Sequence, residues 1–322
     1  MEHVNAGRTG LRVSRLCFGT MGFGAAADPA IPGALFRRCL DAGINFFDCA
    51  NSYSGGQAET ILGQCVADAG CRDEVVIVSK VCRPMGIGPN DRGLSRRNIM
   101  TEVENSLRRL RTDRIDFYFA HHYDPLAAPE ETLRAFDDLQ RQGKILHPAV
   151  SNWSAWRIAK ALGISRREGL ARFELVQPMY NLVKRQAEVE LFPLVMEEGL
   201  GAMVYSPLAS GLLTGLYGLD RRPETGRLAQ PRYTQRYGDD AFYAVADRFS
   251  TFARDNGHAP AALAVAWARS HPAVTAPIVG ADTPEQLDGI LAALDIAMTP
   301  DLRAAITALS IPPDESIERE VD

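Results

Sequence analysis

Four polar residues close or follow apolar runs along this chain, and together they could move a proton. Asp48 closes the run Phe46-Phe47, Lys80 closes the run that starts at Val75, and His121 closes the run that starts at Ile115. Tyr53 lies on the polar stretch just beyond Asp48. A lysine beside an aspartate is a paired charge that can stay ionised when buried. An ammonium near a phenol stabilises phenolate and lowers a tyrosine pKa from about 10 toward working pH. Such a tyrosine is a general acid for a carbonyl oxygen, and a neighbouring histidine can donate a hydrogen bond to the same oxygen. Each residue also has a plainer reading: Asp48 as a turn or helix cap, Lys80 as a solvated strand end, His121 as a satisfied polar residue, Tyr53 as a loop aromatic. The chemistry requires that all four converge, which depends on the elements that carry them.

Residues 45–59 read as a buried strand, a loop with Gly55-Gly56 and the start of a helix. Upstream, segments 11–13 and 16–18, with Gly7 and Gly10 before them, read as a short hairpin running into a first strand that ends near Gly19. The glycine-rich run Gly19-Thr20-Met21-Gly22-Phe23-Gly24 lacks the order G-x-G-x-x-G, and Asp28-Pro29 intervenes before any helix. It does not make a dinucleotide fingerprint, which needs its strand–turn–helix context. Further strands are predicted over 46–48, 75–80, 115–121, 145–150, 174–177, 202–205 and 276–279. Helices are predicted over 32–42, 58–69, 95–111, 130–142, 155–162, 187–198, 241–255, 261–270, 284–294 and 300–309. In the 95–111 helix, Asn98, Glu102 and Asn105 are expected on the polar side, and the basic run 107–111 as a solvated face. Segment 206–239 reads as irregular.

Eight strands alternating with helices favour an α/β fold, a parallel eight-stranded (β/α)8 TIM barrel, over a doubly wound sheet. The expectation is one barrel domain over 1–322, with an N-terminal β-hairpin, long loops on the C-terminal face and a mobile acidic tail from about 312. A barrel gathers eight strand ends in one circle, which brings Asp48, Lys80 and His121 to one mouth.

Composition narrows the classes. The 322 residues are 46% hydrophobic and 23% charged, with a formal net charge of −5. That mix can bury a sizeable core. No basic cluster interleaved with aromatics points to nucleic acid, and no run reaches the roughly 18 apolar residues of a membrane span. The six cysteines form no C-x-x-C pair, and the six histidines show no H-E-x-x-H spacing. A metal site is not expected, reduced thiols and a cytoplasmic location are, and a metal-dependent hydrolase is disfavoured.

Several motifs occur in an order that resembles the aldo-keto reductases. They are Phe47-Asp48-Cys49-Ala50-Asn51-Ser52-Tyr53, Ser79-Lys80, Ile115-Asp116-Phe117-Tyr118 running to His121, and Ser151-Asn152. There follow Val176-Gln177-Pro178-Met179-Tyr180-Asn181, Tyr205-Ser206-Pro207-Leu208 through Gly211-Leu212-Leu213-Thr214-Gly215, and Gly280-Ala281 with Pro284-Glu285-Gln286-Leu287. The resemblance covers about residues 7–310. It implies reversible NAD(P)H-linked reduction of an aldehyde or ketone, with a small-molecule carbonyl or alcohol as substrate, on a barrel that binds its cofactor without a Rossmann fold. It implies a catalytic tetrad of Asp48, Tyr53, Lys80 and His121, with Tyr53 as proton donor, Lys80 tuning it and His121 positioning the substrate.

By the same resemblance Ser151, Asn152 and Gln177 hold the nicotinamide carboxamide and Tyr205 stacks on the ring. Ser206, Leu208 and Gly211 follow the pyrophosphate, and Gly280, Asp282 and Gln286 meet the adenosine end. Thr20, Met21, Asp48, Pro207, Leu213 and Arg236 complete the cofactor set. Three departures fall at the adenosine end: Leu216 where relatives commonly carry Lys, Asp282 where many carry Arg or Ser, and Gly289-Ile290 where Glu-Asn is common. A 2′-phosphate wants Arg or Lys, whereas a 2′-hydroxyl suits a carboxylate. NADP(H) is therefore expected with a relaxed choice that admits NAD(H), unless Arg232 or Arg236 supplies the charge. His122 is expected at the substrate and His147 in a structural role. Phe23, Tyr123, Trp153, Tyr233 and Tyr237 either line an apolar pocket or pack the loops 82–94, 122–128 and 216–240. The alternative function is a cofactor-binding regulatory subunit resembling the potassium-channel beta subunits.

Overall fold

The computed structural model describes residues 1–25 and 28–314. An antiparallel hairpin comes first, β1 (His3–Asn5) against β2 (Arg12–Ser14), with Val4 opposite Val13. Residues 12–14 thus pair upstream, not with 16–18. The turn needs Gly7: its φ is +60°, and a Cβ there would come 2.5 Å from the Gly201 amide nitrogen. The hairpin's apolar side, Ala6 and Val13, packs into the bottom of the barrel.

The chain then builds β3 (Cys17–Gly19), β4 (Phe46–Asp48), β5 (Val76–Val81), β6 (Ile115–Ala120), β7 (Ile145–Ser151), β8 (Leu175–Gln177), β9 (Gly201–Val204) and β10 (Ala276–Val279). These eight strands run parallel, each beside the next, and β10 closes on β3. The architecture is the (β/α)8 barrel that the alternation predicts. Around it lie α1 (Ala30–Asp41), α2 (Gln57–Ala69), α3 (Arg96–Leu110), α4 (Pro129–Arg141), α5 (Ala155–Glu168), α6 (Leu191–Glu198), α7 (Pro231–Tyr237), α8 (Asp240–Asp255), α9 (Pro260–Arg269), α10 (Pro284–Leu291) and α11 (Pro300–Thr307).

Strand residues alternate between two cores, as a period of two requires. Phe46, Val76, Val78, Phe117, Phe119, Ala149, Leu175 and Met203 fill the barrel interior. Phe47, Ile77, Tyr118, Val150, Val176 and Val204 face outward onto the helices. Continuing the inward series by one step gives Asp48, Lys80, His121, Ser151, Gln177 and Tyr205. The polar residues of the mouth are therefore the next inward layer above an apolar filling.

Several elements differ from the sequence expectation. The α5 helix continues past Gly163 to Glu168 and ends where Gly169 turns left-handed at φ +66°. Gly163 is tolerated inside it because its missing side chain leaves no gap against a neighbour. The 187–198 segment splits into a 3-10 turn, Gln186–Glu188, and α6. Segment 206–239 contains a 3-10 stretch, Ala209–Thr214, and α7, whose Pro231 occupies a first-turn position that needs no N–H donor. Asn98 and Glu102 of α3 are buried, not solvated, because that side packs against α2 and the barrel. The expected acidic tail lies almost wholly outside the described residues. No described helix is long and apolar enough to cross a membrane, and no group of His, Cys, Asp and Glu among the described residues could hold a metal ion.

Candidate active site

Lys80 is fully buried at the centre of the mouth. An ammonium has three N–H donors, and each finds one partner. Lys80 Nζ is 2.7 Å from Asp48 Oδ1, donates to the Cys49 carbonyl at 2.7 Å and to the Tyr53 hydroxyl oxygen at 3.1 Å. Asp48 is held from three sides. Gln177 Nε2 donates to the same Oδ1 at 2.8 Å, and Thr20 Oγ1 donates to the Asp48 carbonyl at 2.9 Å. Burial alone would lower the lysine pKa, but the Asp48 carboxylate, with the hydrogen bonds to Asp48 and the Tyr53 oxygen, outweighs it and holds Lys80 protonated.

Because Lys80 donates to the Tyr53 oxygen, the phenol's own hydrogen is free to point into the mouth. Burial pushes the Tyr53 pKa up to about 12, against the lowering effect of the Lys80 charge. This reverses the direction expected from the sequence: desolvation of a phenolate outweighs one ammonium already committed to Asp48. Tyr53 is thus loaded with its proton at neutral pH. His121 meets the Tyr53 ring edge-on, centroids 6.1 Å apart. Burial, then the Lys80 charge, hold its imidazole far below the ordinary histidine range. It is a neutral ring that can donate one N–H, and its buried Nδ1 has no hydrogen-bond partner among the described residues.

The other predicted residues fall in three groups. Ser151 Oγ donates to the Gln177 carbonyl at 2.9 Å, Asn152 Nδ2 to the His121 carbonyl at 2.9 Å, and the Tyr205 hydroxyl to Asn152 Oδ1 at 2.9 Å. These residues form one connected rim. Asn152, Gln177 and Tyr205 also border an open pocket of about 210 Å³ whose remaining lining, with Val150, Ile158, Val176 and Leu191, lies on the outer side of β7 and β8 against α5 and α6. Met21 lies on the short turn after β3. The second group is the segment after Tyr205. Ser206, Leu208 and Gly211 are partly exposed there, while Pro207 and Leu213 are buried. The third group is exposed: Gly280, Asp282 and Gln286 at the start of α10, and Arg236 on α7, whose charge bears on Tyr205. Asp282 Oδ1 lies 4.0 Å from Arg227, a residue that sequence reasoning missed inside the long loop. Leu216 is exposed, and Arg232 is stacked on Tyr233. Of the five aromatics, Trp153 lines the pocket, whereas Phe23, Tyr233 and Tyr237 are buried in packing. His147 packs against Phe117.

Backbone strain is concentrated at this face. Non-glycine residues with positive φ include Ser54 (48°), Cys82 (141°), Asn152 (59°), Ser206 (57°), Ala209 (49°) and Ser210 (59°), all in segments that follow barrel strands. Such conformations cost about 1–3 kcal/mol each and persist where surrounding structure enforces them.

A second network, missed from sequence, braces the loop that carries Tyr53. Buried Glu59 accepts from Ser79 Oγ and, at 2.6 Å, from Arg109 Nε. Buried Glu102 accepts from Asn51 Nδ2 at 2.8 Å and from Asn105 Nδ2 at 2.7 Å, with Arg109 Nη2 3.7 Å away. Arg109 therefore ties α2, α3, Asn51 and Ser79 together, where the sequence pattern had put a solvated basic face. Arg109→Met leaves Glu59 buried without its cation. The expected cost is about 3 kcal/mol, the lower end for a broken buried pair because Arg109 is partly exposed. Denaturant unfolding measures it, and a shift under 1 kcal/mol would refute the bracing role.

Comparison with known proteins gives the family. A sequence model of the Aldo/keto reductase family matches residues 15–311. A rice protein described as a probable voltage-gated potassium channel subunit beta is 38% identical over 317 residues, covering 96% of each chain. The uncharacterized oxidoreductase YrpG of Bacillus subtilis (strain 168) is 37% identical over 311 residues, covering 94% of each. An Arabidopsis thaliana protein, also described as a probable voltage-gated potassium channel subunit beta, is 36% identical over 302 residues, covering 92% of each. From its motifs through its barrel to these relatives, the chain belongs to the aldo/keto reductase family.

Proposed function

We propose that this protein is an oxidoreductase that reversibly reduces an aldehyde or ketone to an alcohol with NAD(P)H. The observation that carries the reading is Lys80, which bridges Asp48 and the Tyr53 oxygen and leaves the Tyr53 proton facing the mouth. The residues present fit a nicotinamide cofactor. Gln177 donates to Asp48, Asn152 to the His121 carbonyl and Tyr205 to Asn152, so these three side chains are joined to the tetrad by hydrogen bonds. Beyond them Ser206, Ala209, Ser210 and Gly211 all have positive φ, a backbone form that turns N–H groups into concave anion sites. Ser151, Asn152 and Gln177 would hold the carboxamide, Tyr205 the ring, and segment 206–213 the pyrophosphate.

When bound, the reduced cofactor supplies a hydride to the carbonyl carbon. Tyr53 gives its proton to the carbonyl oxygen. Lys80 then stabilises the phenolate, and Asp48 keeps Lys80 charged. His121 donates its N–H to the carbonyl oxygen and fixes its direction. A panel of aldehydes and ketones, followed by NAD(P)H absorbance, tests the reading; no turnover of any member would overturn it.

The relatives described as potassium channel subunits favour a second reading, a cofactor-binding regulatory subunit. Tight cofactor binding with no carbonyl turnover is the result that would select it.

Cofactor choice is proposed to be relaxed. Asp282 is exposed and only loosely paired with Arg227, so its carboxylate is available to a ribose 2′-hydroxyl. Catalytic efficiency with NADH is expected within tenfold of that with NADPH, and Asp282→Arg is expected to shift the ratio at least tenfold toward NADPH. A wild-type preference for NADPH above a hundredfold in steady-state kinetics would refute this.

A further inference from the structure

The mouth carries a cation that the tetrad does not use. Strand β5 ends at Val81, and Cys82 follows with φ +141°, its carbonyl accepting from the Gly93 amide at 2.7 Å. This turn delivers Arg83 to His122, with Nη2 2.7 Å from Nε2. The His122 ring stacks on His121 with centroids 4.9 Å apart and planes 19° apart. His121 in turn meets Tyr53. The Arg83 guanidinium is thus connected through two stacked rings to the proton donor. Its charge also bears on Tyr205 across the mouth.

No carboxylate neutralises Arg83 among the described residues. Asp48 is committed to Lys80 and Gln177. Asp124 accepts from the Leu94 amide at 2.7 Å and the Leu126 amide at 2.9 Å. Asp91 accepts from the Gly88 amide at 2.9 Å. Its partner among the described residues, His122, is a neutral acceptor: burial and the Arg83 charge hold its pKa at about 4. A neutral imidazole fixes the guanidinium without cancelling its charge. It occupies one of five N–H donors, so a planar fork remains open.

We propose that Arg83, oriented by His122, binds a carboxylate carried by the carbonyl substrate, so that the preferred substrates are oxo- or formyl-acids. The proposal rests on the oxidoreductase reading of the same site and names its substrate class. The fork matches a carboxylate bidentately, and a single guanidinium matches a single negative charge. Residue 83 falls in a loop whose course the sequence does not dictate, so its place beside His122 is visible only in the structure.

The test compares 4-formylbenzoate with 4-methylbenzaldehyde, which share ring and aldehyde but differ in charge. Wild-type kcat/KM is expected to favour 4-formylbenzoate at least tenfold. Arg83→Gln should lower that ratio at least tenfold, mainly through KM, and Arg83→Lys should restore part of it. Equal losses on both aldehydes, or an equal loss of NADPH affinity by fluorescence, would overturn the proposal. Calorimetric binding of benzoate to the protein–NADP+ complex gives an independent readout. If no aldehyde is turned over, the oxidoreductase reading fails, while benzoate binding weakened tenfold by Arg83→Gln still supports the carboxylate site. Benzoate binding that is absent, or the same in both proteins, overturns it.

Discussion

Tyr53→Phe is expected to lower kcat/KM for carbonyl reduction by about 10²- to 10⁴-fold, the usual range for a lost general acid. The ring remains, so packing and the cofactor pocket persist. The variant leaves one Lys80 N–H without an acceptor, a cost of about 1–3 kcal/mol that a folded barrel can absorb. Fluorescence titration with NADPH should therefore show binding within a few fold of wild type. The pH profile makes the same point without mutation. The donor must be protonated to act, and burial places its pKa at about 12. Protonated Tyr53 is then the dominant form throughout the physiological range, and His121, held neutral, adds no titration there. The kcat/KM for reduction should be flat from about pH 6 to 10 as far as these groups govern it, and fall only above that. A falling limb centred near pH 8 would show that another group donates the proton.

Lys80→Met carries the largest combined penalty. It leaves the Asp48 carboxylate buried with only Gln177 donating to its side chain, and breaking a buried ion pair costs about 3–5 kcal/mol. It also removes the charge that stabilises the Tyr53 phenolate, so activity should fall at least as far as in Tyr53→Phe. The double variant Asp48→Asn/Lys80→Met should recover much of the stability and none of the activity. That split separates a structural pair from a catalytic one. Denaturant midpoints and kcat/KM measured on the same preparations decide it; equal recovery of both would overturn the assignment. The pair should also be insensitive to pH in the neutral range. Lys80 is held above its ordinary value, so its contribution is complete below the unfolded lysine pKa of about 10.4. It is lost only as the pH climbs beyond that into the strongly alkaline range.

Much of this site is legible along the chain because strands have a period of two. Phe46 and Asp48, Val78 and Lys80, and Phe119 and His121 are consecutive inward positions, so apolar filling below foretells polar residues above. What is illegible depends on distance in space. The sequence puts Lys80 near Tyr53 but does not say how much water both have lost, and desolvation decides the direction of the phenol's shift. Arg109 reads as part of a basic helical face until α2 places the buried Glu59 against it. Arg83 and Arg227 sit in loops whose course is set by the tertiary structure around them, not by local propensity. Helix α7 is hidden because its seven residues are too few to show a period, and α5 overruns its apparent end because Gly163 faces open space.

The left-handed residues around the mouth bear on how this protein would respond to selection for heat tolerance. Glycine at Ser54, Ser206, Ala209 or Ser210 would relieve a local penalty, yet a freer backbone there would blur the geometry that the tetrad and the rim depend on. The barrel below the rim offers a safer route. Its filled interior and helix contacts can gain stability without touching the strained ring, so robustness and rate can be improved independently in different halves of the same molecule.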